Sequence, residues 1–159
     1  MNIKPVFDSK TKSAICDSIL RSLPEWFGIE ESIVDYTKHA GEMPFFAAFD
    51  GEGPVGFIAI KAHNPYTAEV YVMGVLSGCH RMGVGSALMD RVERHCIAGG
   101  FKFLTVKTLD SSAASEHYER TRRFYFKMGF LPLEVFPLLW DERNPCLFLA
   151  KQLASVGGN

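Results

Sequence analysis

"CHRMGVGSALMDRVE", residues 79–93, decides how this chain is read. Gly83, Gly85 and Ser86 follow the basic Arg81, and an apolar rhythm begins at once. Val84, Ala87, Leu88, Val92 and Cys96 fall on one side of a helix that should stop at Gly99-Gly100. Glycines at a helix start serve either a tight turn or the close approach of something to the backbone. The first N–H groups of a helix have no partner within it, and the helix dipole favours negative charge there. Residues 80–86 therefore read as a cradle for a phosphate or pyrophosphate, with Arg81 adding charge. The alternative is a turn that serves only close packing.

Working outward, "TAEVYVMGVL" (67–76) carries apolar residues on both faces, which marks a central strand covered on both sides. "FKFLTVKTL" (101–109) follows the helix as another strand. Strand, helix and strand with short loops predict a parallel pair joined by a right-handed crossover. Upstream, "IKPVF" (3–7) is a first strand near an edge, because Pro5 cannot donate to a ladder. Ile15, Ile19 and Leu23 with Cys16 and Leu20 predict a helix from about Ser9 to Leu23, stopped by Pro24. A second helix spans 30–40, ending at Gly41. "PFFAAFD", the turn "GEG" and "PVGFIAIKA" form a hairpin over 44–62. Downstream, Ser115 is the N-cap of a helix that presents Tyr118, Thr121, Tyr125 and Met128 on one stripe and ends at Gly129. "FLPLEVFP" and "CLFLAKQL" are the last strands, joined by a loop around Trp140. The order βααβββαβαββ is a mixed α/β class, with antiparallel N-terminal strands and a parallel pair at the centre.

At 159 residues one domain, 1–159, is expected. Apolar residues are 47%, too many for a disordered chain. A net charge of −1 argues against nucleic acid as a partner. No stretch reads as a signal peptide or a membrane span. The four cysteines, Cys16, Cys79, Cys96 and Cys146, show no CxxC pair or zinc spacing, so no metal is expected, and reduced thiols fit a cytoplasmic protein.

Two familiar phosphate loops are excluded. GxxxxGK[ST] is absent, and Leu88 stands where GxGxxG needs its third glycine. What remains resembles the GNAT N-acetyltransferases, which move an acetyl group from acetyl-CoA to an amine. That family's signature is [Q/R]-x-x-G-x-[G/A] between its fourth strand and third helix. Here it is His80-Arg81-Met82-Gly83-Val84-Gly85, with His80 departing from the first position. The family also shows a Tyr four residues before a Gly-Phe pair, here Tyr125 before Gly129-Phe130. The element order resembles the family along nearly the whole chain. At 118 many relatives carry Asn and this chain has Tyr118.

The resemblance implies a role for each of these residues. The CoA diphosphate would sit on His80, Arg81, Met82, Gly83, Val84, Gly85 and Ser86. The pantetheine arm would pair with the strand at Met73, Gly74 and Val75, and Tyr118 and Tyr125 would contact the cofactor. Tyr125 would protonate the departing thiolate, since a phenol near 10 and a thiol near 8.5 exchange a proton without a steep climb. Glu69 would accept the amine's proton through water, with Asp110, Glu116 and His117 as alternatives. Trp26, Phe27, Phe45, Phe46 and Trp140 come from segments that flank the acceptor cleft in such folds; core packing is the competing reading. The expected partner is a small-molecule amine, with direct transfer in a ternary complex and a homodimer left open. A protein N-terminal or lysine acetyltransferase is the alternative within the class. A CoA-binding module without turnover is the alternative outside it.

Overall fold

A computed structural model describes residues 1–51 and 53–155; Glu52, in the hairpin turn expected at 51–53, lies outside them. The elements run β1 (Asn2–Pro5), α1 (Ser9–Arg21), α2 (Glu30–Ala40), β2 (Phe45–Asp50), β3 (Gly53–Ala62), β4 (Thr67–Val75), α3 (Val84–Ala98), β5 (Phe103–Leu109), α4 (Glu116–Lys127), β6 (Leu131–Asp141) and β7 (Asn144–Gln152). A single 3-10 turn, Ser77–Cys79, precedes α3. The sheet order is β1-β2-β3-β4-β5-β7-β6, a mixed sheet in which β4 and β5 run parallel. The βααβββαβαββ order expected from the sequence is the order found.

The chain forms two compact units. The first comprises Met1–Ala62 and Val70–His95. Its core gathers Ile15, Ile19 and Leu20 of α1 with Ile33 of α2, Phe45 of β2, Phe57 of β3 and Val72 of β4. Burying each such side chain contributes about 2 kcal/mol. Asp8 caps α1 by accepting the Thr11 N–H at 2.9 Å. The helix ends at Arg21, two residues before the expected Leu23, because the Ser22 and Leu23 N–H groups turn back to Ile19 and Leu20. Gly74 is shaped by this core. A Cβ there would meet Ile19 at 3.0 Å and Leu23 and Phe57 at 3.3 Å, so its missing side chain lets α1 lie close against β4.

The second unit comprises His63–Glu69 and the chain from Cys96 onward. β5 pairs antiparallel with β7 from Phe103–Gln152 to Leu109–Cys146. β6 pairs with β7 with register shifts at Pro132/Glu134 and Phe136/Asp141. The second shift absorbs Pro137–Trp140 into the strand, so Trp140 is a strand residue and not the loop residue expected. It is exposed, whereas Phe45 and Phe46 are buried core residues of the first unit. α4 packs on β5 and ends in two reversed bonds, Gly129 N–H to Phe126 O and Phe130 N–H to Tyr125 O, both 3.0 Å. That close needs Gly129 at φ +98°, and it folds the fully buried Phe130 against the Tyr125 ring at 5.7 Å. The Tyr-x-x-x-Gly-Phe pattern is thus a helix stop that fixes the tyrosine ring.

Candidate active site

The first unit carries the glycine turn. α3 begins at Val84, and its first internal bond runs from the Ala87 N–H to the Gly83 carbonyl at 3.0 Å. The N–H groups of Val84, Gly85 and Ser86 therefore have no partner within the helix. Gly83 precedes them at φ +75°, a conformation that L side chains rarely adopt, and no atom lies within 4 Å of the place a Cβ would take. The turn is open where a ligand would approach. An anion with several oxygens suits this arrangement, so the residues present fit a diphosphate. Arg81 and Met82 are exposed beside it, and Gly85 and Ser86 are half-buried in the first helical turn.

His80 serves the loop. Its Nε2 lies 2.6 Å from the Val75 carbonyl, which can only accept, so Nε2 carries the hydrogen. Its ring also meets the Trp26 ring edge-on at 5.4 Å. The side chain at the motif's first position thus ties the end of β4 to the start of the turn. Met73 and Val75 are half-buried, while Gly74 is buried and in contact with α1.

The second unit carries the titratable candidates. Tyr125 is buried at 6% exposure in α4, and Tyr118 is half-buried one turn after the Ser115 cap. Ser115 accepts the Tyr118 N–H at 3.3 Å. Arg122, between the two tyrosines, is also buried and donates to the Leu109 carbonyl at 2.6 Å, pinning the end of β5. Asp110 accepts from the Ser112 hydroxyl at 2.6 Å and its N–H at 3.1 Å. The hydroxyl bond foremost holds its carboxyl below the usual range, which makes it a turn residue and a poor proton acceptor. Glu116 is exposed in the first turn of α4.

Glu69, near the start of β4, is withdrawn from water. Its side chain is 8% exposed, and Oε1 lies 2.5 Å from His63 Nε2 and 3.3 Å from Lys107 Nζ. Neither partner was a candidate from the sequence. Lys107 left a trace there, as the one charge inside the otherwise apolar and threonine-bearing "FLTVKTL". Burial pushes two thiols up, Cys146 to about 11 and Cys16 to about 12, so both stay protonated and unreactive at neutral pH. Among the described residues no cluster of three His, Cys, Asp or Glu side chains is arranged to hold a metal ion, and no helix is long and apolar enough to cross a membrane.

An open, glycine-led helix start after a central strand and a buried tyrosine fixed by a Gly-Phe stop together define a class. The chain belongs to the acetyltransferase (GNAT) family, whose model matches residues 13–130, and that family uses acetyl-CoA. Over 93 residues, 57% of this chain, it is 42% identical to a mycothiol acetyltransferase of Streptomyces scabiei. That stretch is 28% of the relative, so the chain spans little more than a quarter of the length of the curated relatives it matches. An aminoglycoside 6'-N-acetyltransferase solved with coenzyme A superposes with a TM-score of 0.76 at 20% identity, over 96% of this chain and 97% of that one. The ribosomal-protein-S18-alanine N-acetyltransferase of Escherichia coli superposes with a TM-score of 0.74 at 16% identity, over 99% and 98%. At such identities the likeness to the two solved structures is one of fold.

Proposed function

We propose that this chain transfers the acetyl group of acetyl-CoA to a primary amine of a small molecule, by direct attack of the amine on the thioester. The observation that carries this reading is the open turn: Gly83 at φ +75° before a helix whose first N–H groups lack internal partners. The diphosphate would bind Arg81–Ser86, with the pantetheine arm along Met73–Val75. Tyr125 would give its hydroxyl proton to the departing thiolate. Of the four cysteines, Cys16 and Cys146 are ruled out as carriers of an acetyl group, being buried and held as thiols. A small acceptor bearing an amino group is supported by the names of the mycothiol and aminoglycoside relatives.

The test is thiol release from acetyl-CoA with kanamycin, glycinamide and an alanine-terminated hexapeptide as acceptors, alongside a thermal shift with acetyl-CoA alone. Acetyl-CoA should raise the melting temperature, because a ligand of the folded state stabilises it by mass action. Kanamycin or glycinamide should outpace the peptide. A peptide acetylated far faster than either would move the acceptor to protein N-termini. No thermal shift at millimolar acetyl-CoA would overturn the reading.

A further inference from the structure

His63, Glu69 and Lys107 form a charged cluster inside the second unit. Both partners of Glu69 approach the same oxygen, Oε1, and the carboxylate is nearly withdrawn from water. A buried carboxylate is kept by pairing and hydrogen bonding, and here Lys107 supplies the charge and the His63 ring a hydrogen bond. A proton arriving at Oε1 would have to displace one of them. His63 is placed differently. Its side chain is 35% exposed, and Nε2 alone faces the carboxylate. With the Nε2 hydrogen donated to Glu69, the Nδ1 lone pair is left as a proton acceptor. A carboxylate behind an imidazole fixes the ring's tautomer and orientation, and it stabilises the imidazolium that forms.

We infer that His63 is the group that removes the proton from the acceptor's ammonium, directly or through one water, and that Glu69 and Lys107 are positioning residues behind it. This deepens the acetyl-transfer reading and rests on it. The ammonium gives one proton to Nδ1 and becomes a neutral amine. The nitrogen lone pair forms the C–N bond at the thioester carbonyl, the C–S bond breaks, and the sulfur keeps the electron pair and takes a proton from Tyr125. The new amide nitrogen sheds its second proton, which restores the Tyr125 hydroxyl through solvent, and the His63 imidazolium returns its own to water. One acetyl group moves and one proton is released. His63 pairs with Glu69 of β4, which in turn pairs with Lys107 of β5; Lys61 lies two residues earlier in the chain, and the Cys146 thiol of β7, acted on by Lys107 and Glu69, stays neutral because burial pushes it up to about 11.

The test combines pH profiles of kcat/KM for wild type, His63→Gln, Glu69→Gln and Lys107→Met with nitrogen-15 spectra of the His63 ring. Glycinamide and kanamycin serve as acceptors, since a limb belonging to the amine moves between them and one belonging to the enzyme does not. His63→Gln should abolish the enzyme limb and lower kcat/KM at pH 7 by about 10²-fold, leaving the CoA dissociation constant unchanged. Glu69→Gln keeps the shape of the partner and removes its charge; it should retain the limb and lower kcat/KM less than His63→Gln does. Lys107→Met should lower kcat/KM about tenfold and leave the limb in place. In the spectra of wild type the neutral ring should carry its hydrogen on Nε2. Loss of the limb in Glu69→Gln with its retention in His63→Gln would make Glu69 the base and overturn the inference. So would a ring hydrogen on Nδ1. Wild-type protein that binds no acetyl-CoA and acetylates neither amine would sink the acetyl-transfer reading itself, before any variant is compared.

Discussion

The connection that opens α3 and the one that opens α4 both lead from a strand end into a helix, and they treat the helix N-terminus in opposite ways. Before α4, Ser115 accepts the Tyr118 N–H, Asp110 accepts from Ser112, and Arg122 reaches back to the end of β5. Before α3, a glycine at φ +75° stands at the capping position, with no atom within 4 Å of the place a Cβ would take. A satisfied N-terminus stabilises the fold, while an open one keeps hydrogen-bonding capacity for something else. On the proposed function the difference divides the labour: the open turn would bind the diphosphate, while the closed turn fixes the helix that carries Tyr125.

The largest expected effect falls behind the closed turn. Tyr125→Phe keeps the ring against Phe130 and removes only the hydroxyl, so kcat should fall by about 10²-fold while the CoA dissociation constant holds. Unchanged turnover would reduce that helix to scaffolding. Next comes Gly83→Val, which forces a β-branched residue to positive φ at the ligand face. CoA affinity should drop roughly tenfold or more, beyond what the loss of stability explains. Ser115→Ala should lower stability by about 1 kcal/mol, read as a melting temperature about 2–4 °C lower, with CoA affinity unchanged. A Ser115 variant that loses CoA binding as well would erase the contrast between the two turns. Arg81→Ala should cost CoA binding less than Gly83→Val does, about 1 kcal/mol or under, because the side chain is exposed.

Acid should act on the first unit independently of either turn. Burial foremost, and then the Arg91 charge, hold His95 below histidine's ordinary 6.5. The unfolded chain therefore takes up this proton at a higher pH than the folded one. The stability it contributes is present above about 6.5 and lost as pH falls below that value. Denaturant midpoints should drop between pH 7.5 and 5.5, and His95→Gln should flatten that drop.

The strand-helix-strand centre was legible because periodicity and glycine placement are local signals, and so were the Ser115 cap and the stop at Gly129. Where a feature depends on partners distant in sequence, the reading fell short. The missing Cβ of Gly74 accommodates Ile19, some 55 residues away, a packing role that no local signal shows. The ion pair that holds Glu69 out of water depends on Lys107, 38 residues on, and leaves no local trace around Glu69. Arg122 sits on the buried stripe of α4, where a charged residue is ordinarily read as solvated; only the Leu109 carbonyl accounts for it. Trp140 was assigned to a loop because the irregular pairing of β6 with β7 leaves no trace in either strand alone.

The open turn at Gly83 is the centre of this account, and a two-by-two calorimetric comparison tests it most directly. CoA and pantetheine, which lacks the diphosphate, are each titrated into wild type and Gly83→Val. Wild type should bind CoA at least about tenfold more tightly than pantetheine, and the valine variant should bind the two alike, since it loses only what the diphosphate contributes. Equal affinities in wild type, or a preference for CoA that survives in Gly83→Val, would contradict it.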